Sequence, residues 1–507
     1  MDSGSESSLA SSSISTASTS TFSSSRLCPL REFIDKTSND EKKRFDKKLA
    51  RAIYSSGSPI QMVEKGYWKE FFKAIKPSYT LPSRHDLSHK LLDAEYETLQ
   101  GDVMTKIRTA ETVSVQCDGW SNIRNEAVLK FVVTTPKPVL LKTMTTGAES
   151  HTGEYIAQEL GKCITEIGPG KIMAIVSDNA AAMEKAKQII ATQFNYITIY
   201  SCVAHSLNLL VGDIMKLNSF RNVESSCKEI IKEINGSHKN LACFNKIQLD
   251  KYHKVRSLKL PVKTRWGSIL YCVESLILTK EALQILIVSQ DSKGVKFSKN
   301  VRDHILENDI FWVRLDKLKG ILSPIVKWIT VLEGDAARIS QVFIAISEIE
   351  GYIYKDNVKS LLIKSNEEKE LTSLFNKRRD RILKPIHLAA YLLDPSFNQS
   401  ELELNNEQHI TAMQFIDNLI SNHPQFQEHK ETIILELTNY LGRNDIWSIN
   451  FVWESAKKSD CITWWKGICN KTKLKNVAVA ILGLPPSTAA TERSFSTSSF
   501  IHCKKKK

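Results

Sequence analysis

Two aspartates stand where strand-like runs give out. Asp118 lies in Cys117-Asp118-Gly119-Trp120-Ser121 behind the alternating residues 113–117, and Asp178 lies in Ser177-Asp178-Asn179-Ala180 behind the apolar run 172–176. If those strands are parallel neighbours, both carboxylates emerge at one edge of a sheet, a few ångströms apart. Two acids aimed at one point call for a cation between them. That is the requirement of two-metal phosphoryl transfer, in which Mg²⁺ ions about 3.5 to 4 Å apart hold the attacking and leaving oxygens. Each aspartate alone also has a plainer reading, because Asp-Asn caps helices and Asp-Gly makes turns; the shared topology outweighs it. A third acid is needed, and periodicity does not choose among the C-terminal glutamates. Cys202 and His205 form a Cys-x-x-His pair with no second pair at finger spacing nearby, so a structural zinc is not expected. In Arg265-Trp266 the indole can stack on an unpaired base while the guanidinium holds the flanking phosphate, although a tryptophan in a helical region is more often core.

The elements that must position these residues are written in the pattern. Residues 113–117, 127–135 and 139–146 read as a three-stranded meander with a turn at Pro136-Lys137-Pro138. Apolar residues at 156, 157, 160, 163, 164 and 167 make a helical stripe that Gly168-Pro169-Gly170 ends. A buried strand at 172–176, a helix at 179–192, a strand at 196–200 and a helix at 203–217 follow. The order β-β-β-α-β-α-β-α is that of a ribonuclease H-like α/β fold, a mixed sheet with helices on both faces.

On either side the grammar changes. Residues 1–26 hold 13 serines and no period, so 1–38 reads as a disordered Ser-rich tail. Residues 39–111 read as a helical lead-in domain and 112–221 as the first part of the core. Residues 222–445 read as an all-α insertion punctuated by Pro261, Pro324, Pro385 and Pro395, and 446–507 as the C-terminal part of the core, with Trp447, Trp453, Trp464 and Trp465 taken as packing.

The 507 residues are 42% hydrophobic and 25% charged, the values of a globular chain, and no apolar run approaches the roughly 20 residues of a membrane span. No signal or transit peptide is readable, which makes an intracellular location the default. Ten cysteines are scattered with no Cys-x-x-Cys, against both a disulfide framework and a zinc ribbon. The net charge of +13 makes a polyanion, nucleic acid first, the expected partner.

Six blocks together resemble the hAT superfamily of DNA transposases and their domesticated relatives. They are Cys117-Asp118-Gly119-Trp120-Ser121, the stretch from Ser177-Asp178 to Met183, and the stretch from Cys202 through His205 to Leu209. Thr264-Arg265-Trp266-Gly267-Ser268, the stretch from His387 to Asp394-Pro395, and the stretch from Ser487 through Glu492 to Ser496 complete the series. The resemblance implies a catalytic triad of Asp118, Asp178 and Glu492 holding two Mg²⁺ (or Mn²⁺) ions, with Glu492 delivered by the last helix. It implies DNA contacts from His205, Arg265 and Trp266, the indole stacking on a base extruded as the flanking DNA forms a hairpin. The implied activity is metal-dependent DNA strand cleavage and transfer in the nucleus. A domesticated or decayed relative acting as a non-catalytic DNA-binding or protein-interaction factor is the alternative.

Two departures from the family pattern qualify this. Residues 1–100 offer only Cys28, His85 and His89, too few for a BED-type zinc finger. The sequence ends in Lys504-Lys505-Lys506-Lys507, so the dimerisation segment is expected to be truncated, weakening homo-oligomer formation; the lysine run reads as a solvated helix face before a nuclear localisation signal. A proofreading-type exonuclease on the same fold would want Asp-x-Glu on the first strand, where position 120 is Trp.

Overall fold

The computed structural model describes residues 35–121, 126–135, 137–145, 152–262, 265, 267–289, 296–354, 366–397 and 400–502. Most of the Ser-rich tail, Trp266 and the terminal lysines lie outside the described residues. The chain divides into two compact units, residues 1–99 and 100–507.

In the first unit, α1 (Asn39–Ser56) begins at Ser38, whose hydroxyl caps the Glu41 amide while the Glu41 carboxylate returns to the Ser38 amide. It ends at Gly57, whose φ of 64° takes the left-handed turn that a residue with a Cβ resists. A short 3₁₀ turn (Ile60–Glu64), α2 (Gly66–Ile75) and α3 (Arg84–Ser88) follow. Ala50, Ile53, Val63 and Leu87 form their small core. The boundary between the units falls within α4 (Lys90–Thr109).

The second unit is built on β1 (Val113–Ser121), β2 (Ala127–Thr134), β3 (Pro138–Thr145), β4 (Ile172–Ser177) and β5 (Thr198–Ser201), in the order β3-β2-β1-β4-β5. The first three pair antiparallel, and β4 and β5 run parallel to β1. This is the ribonuclease H-like mixed sheet. Helix α5 (Gly153–Ile167) leads from β3 into β4, α6 (Ala181–Gln193) joins β4 to β5, and α7 (Val203–Ile214) follows β5. The expected stripe of α5 is buried in full, in one core with Val115, Cys117, Leu129 and Phe131 from the same face of the sheet. The continuous apolar run of β4 has its reason here: Ile172 and Ile175 enter that core, while Met173, Ala174 and Val176 enter a second on the opposite face.

From α7 onward the regular elements among the described residues are helices and short 3₁₀ turns, apart from one isolated bridge between Val262 and Arg265. The helices are α8 (Val223–Asn235), α9 (His238–Tyr252), α10 (Ser268–Ile277), α11 (Lys280–Val288), α12 (Lys299–Leu306), α13 (Asp309–Glu333), α14 (Gln341–Ile353) and α15 (Glu367–Ile382). Then come α16 (Pro385–Leu393), α17 (Asn406–Asn422), α18 (Lys430–Leu441), α19 (Asn450–Ala456), α20 (Cys461–Gly467), α21 (Leu474–Leu482) and α22 (Ala489–His502). They feed two cores: one runs from Val203 to Ile382, and the other joins helices from Ile386 onward to β4 and Tyr200. Trp447, Trp453, Trp464 and Trp465 are all buried in the latter.

Pro324 corrects one expectation. Instead of punctuating the helical block it sits inside α13. An interior proline costs about 3 kcal/mol, but Leu322, Ile325 and Val326 around it are buried in the core, and that packing carries the helix through. Pro385 and Pro395 do punctuate, at the first position of α16 and just beyond its end.

Candidate active site

Asp118 lies inside β1 rather than after it, because pairing with β2 continues to Ser121. Pairing with β4 stops earlier, at Cys117 opposite Ser177. Asp118 and Asp178 are therefore the next residues on two parallel neighbours, at the point where those strands part. Side chains alternate along a strand, so Gln116 and Asp118 share the face opposite the α5 core, and Lys130, the β2 partner of Asp118, shares it too.

The β4–α6 turn that carries Asp178 is pinned from three directions. The Ala180 amide donates to Asp178 Oδ1 at 3.1 Å, a local turn that occupies one carboxylate oxygen; the helix cap suggested by Asp-Asn is not formed, because the α6 cap is Ala180 with no side-chain bond. Lys187 on α6 donates to the Asp178 carbonyl (3.1 Å), to Glu184 (2.6 Å) and to Ser201 Oγ (2.9 Å). Asn179 Nδ2 donates to Ser206 Oγ on α7 at 2.7 Å.

Glu492 arrives in the first turn of α22, some 300 residues later in the chain, and the same sheet face holds that helix. Lys130 is only 1% exposed, and its ammonium donates to Ser494 O (2.8 Å), Ser494 Oγ (3.0 Å) and Ser498 Oγ (2.6 Å) and lies 4.7 Å from the Phe495 ring centroid. Thr491 Oγ1 donates to Gln116 Oε1 at 3.3 Å, and Trp120 and Phe495 meet at 5.6 Å. The lead into α22 is tied down as well, by Ser487 Oγ donating to Leu332 O and Tyr200 donating to Pro485 O, both at 2.7 Å.

Cys202 and His205 occupy the start of α7. The Cys202 sulfur accepts the amides of His205 (3.4 Å) and Thr488 (3.3 Å), so it caps α7 and anchors the α22 lead at once. Burial pushes its thiol up to about 11. His205 is half-buried on the first turn of α7. The Arg265 guanidinium reaches Glu492 Oε2 at 3.8 Å.

The acids feel one another. Asp118 is 9% exposed, and burial first, then the charges of Asp178 and Glu492, push its carboxyl up to about 8. Glu333, at the end of α13, joins them: burial and Glu492 raise it, while Arg265 and Arg493 draw it down. Asp118, Asp178, Glu492 and Arg265 thus form one electrostatic cluster. Among the described residues no three His, Cys, Asp or Glu side chains converge closely enough to hold a metal ion as they stand.

Sequence reasoning passed over Lys130, Lys187 and Glu333. For the two lysines a signal exists: each falls at a position that the surrounding strand or helix pattern assigns to the interior, where a lysine must have acceptors. Glu333 carries no local signal.

Three protein families match along the chain. Residues 82–230 match a domain of unknown function (DUF659), residues 200–306 match the ZBED1 RNase-like helical domain, and residues 436–506 match the hAT family C-terminal dimerisation region. Along these stretches the chain is similar to hAT family transposases. Among hAT relatives in Zea mays, the protein named "Putative AC transposase" is 22% identical over 89% of this chain and 61% of its own length. "Putative AC9 transposase" is 25% identical over 49% of this chain and 32% of its own length. The chain therefore spans less than two thirds of either relative. The match to 436–506 corrects the expectation of a truncated hAT dimerisation segment within 446–507: the region begins inside α18 and includes the tryptophan-rich helices.

Proposed function

We propose that the protein is a hAT transposase core that cleaves and transfers DNA strands, with Asp118, Asp178 and Glu492 as its catalytic and metal-holding carboxylates. The observation that carries the reading is the register of β1 and β4, which sets Asp118 and Asp178 side by side with Glu492 within electrostatic reach. An all-oxygen donor set suits Mg²⁺ or Mn²⁺. A carboxyl pushed up to about 8 by burial and two neighbouring acids is short of positive charge, which also fits a divalent cation. Two such ions, when bound, would orient the attacking and leaving oxygens and offset charge developing at phosphorus.

The chain's own groups supply the rest. The first step is hydrolysis of a phosphodiester at the element's end: water adds to phosphorus and a sugar hydroxyl leaves. That hydroxyl then attacks a phosphodiester of the opposite strand and displaces a second sugar hydroxyl; in strand transfer the hydroxyl freed on the element attacks a target phosphodiester at the same carboxylates and displaces a target hydroxyl. Arg265 releases Glu492 and takes a DNA phosphate. His205 contacts the backbone or a base from the first turn of α7, and Trp266 stacks on an unpaired base. Residues 436–506 support a homo-oligomer, and DNA as substrate makes the nucleus the expected location.

A second reading, a DNA-binding or protein-interaction factor without catalysis, is favoured by the pairing of Glu492 with Arg265 and by the absence, among the described residues, of a three-ligand cluster. One experiment separates the two. Supercoiled plasmid is incubated with the purified chain and Mg²⁺ or Mn²⁺, with Asp178→Ala as control. Nicking that Asp178→Ala lowers by a hundredfold or more supports the transposase reading; DNA binding without nicking by either protein supports the second.

A further inference from the structure

We propose that residues 253–262, together with Arg265, form a preorganised basic strap that follows the phosphate backbone of duplex DNA up to the carboxylate cluster. The inference rests on the proposed function and adds to it the surface along which the DNA runs. From Lys251 to Val273 the sequence contains no acidic residue, and Lys254, Arg256, Lys259 and Arg265 recur within this stretch. Helix α9 stops at His253, whose φ of 53° turns the chain out of the helix, and no regular element follows until the isolated bridge between Val262 and Arg265.

A run of positive charge is ordinarily a solvated face, with its backbone bonded to water. Here the backbone is held by the protein at regular intervals. The Arg256 amide donates to Gln248 Oε1 (3.0 Å) and its carbonyl accepts Gln248 Nε2 (3.2 Å), and Gln248 is fully buried. The Lys259 amide donates to Ser275 Oγ (3.1 Å), the Val262 amide to Ser268 Oγ (2.7 Å), and the Gly267 amide to Asn208 Oδ1 (2.9 Å). Leu258 is buried between these ties.

With the main chain fixed inward, Lys254 and Lys259 project to solvent, and among the described residues neither is in an ion pair. Arg256 lies 5.1 Å from the Tyr252 ring and Lys259 5.4 Å from the Tyr271 ring, which limits the freedom of both cations. The entropy of ordering this stretch is therefore spent before DNA arrives. An extended chain advances about 3.3 Å per residue, so Lys254 to Val262 spans at most about 26 Å, enough to face several phosphates spaced about 3.4 Å along the axis of one strand. The line ends at Arg265, whose guanidinium is 3.8 Å from Glu492.

The test measures equilibrium binding of the full chain to a labelled random-sequence duplex over a range of salt. Lys254→Glu/Lys259→Glu is expected to weaken binding at least tenfold at low salt and to make the slope of log K against log salt shallower by about 2, the loss of two phosphate contacts. Lys457→Glu/Lys458→Glu, the same change in net charge at another exposed place, is expected to stay within about threefold of wild type. The neutral pair Lys254→Gln/Lys259→Gln should show the same change of slope, so a folding defect in the reversed pair does not decide the matter. The strap is overturned if its variants keep the wild-type affinity and slope, or if both charge-reversed pairs weaken binding alike. A wild-type chain that binds no DNA overturns the proposed function and the strap with it.

Discussion

Asp118 is a carboxyl kept in a place that disfavours its charge, which is the usual cost of a site built to act on something else. The folded chain holds its proton up to about pH 8, whereas the unfolded chain gives it up near the ordinary value of about 4. Between those limits rising pH therefore removes stability from the metal-free protein. Asp118→Asn should abolish nicking, yet raise stability at pH 8 by roughly 1–3 kcal/mol in a urea titration and flatten the slope of stability between about pH 4 and 8. His387 gives the opposite sign. It is fully buried, its Nδ1 accepts the Lys384 amide at 3.0 Å, and burial lowers it to about 3. The unfolded chain takes up a proton near pH 6.5 while the folded chain resists to about 3, so stability is intact above 6.5 and lost as pH falls. At pH 4.5 the loss from this residue should be roughly 2–3 kcal/mol, and His387→Leu should flatten that acid limb in thermal melts.

At the scale of elements, the decisive contact is α22 on the sheet. It delivers Glu492, and Lys130 is its central tether. Charged hydrogen bonds contribute about 1.5–3 kcal/mol each, and removing the ammonium leaves two serine hydroxyls without their donor. Lys130→Met should therefore lower stability by roughly 2–3 kcal/mol in denaturant and reduce nicking at least tenfold, with duplex affinity held near wild type because the strap lies elsewhere. Loss of DNA binding in step with nicking would mean that α22 does more than position Glu492. The meander, α5 and the strands bearing both aspartates were legible because a half-buried element must repeat with the period of its backbone. The tether was not legible, because Lys130 and Ser494 are 364 residues apart and nothing local marks a buried lysine's partner.

For the whole molecule, the match of residues 436–506 to a dimerisation region sets the expectation that the chain self-associates. Sedimentation velocity at micromolar concentration should show about two chains per particle, and a monomer across that range would count against it. The four tryptophans of this region are buried in a core shared with β4, so a dimer surface must be sought among its exposed side chains, such as Ile449 and Phe451, and not in the tryptophans. Ile449→Ser and Phe451→Ser should leave monomer stability within about 0.5 kcal/mol, while Trp465→Ala should cost about 3–5 kcal/mol.

By itself the sequence determined the order of strands and helices, the two aspartates at neighbouring strand ends and the likeness to hAT transposases, since alternation, helical stripes and short motifs are properties of neighbouring residues. It left open how the helices after α7 are shared between two cores, because a helical stripe says that a face is buried and not against what. It left Pro324 looking like a break, because the burial that carries α13 through it comes from distant segments. Only the tertiary structure joined Lys130 to α22, Cys202 to Thr488 and Arg265 to Glu492. These contacts close loops of more than 200 residues, and their geometry is fixed by packing between elements, which no local pattern encodes.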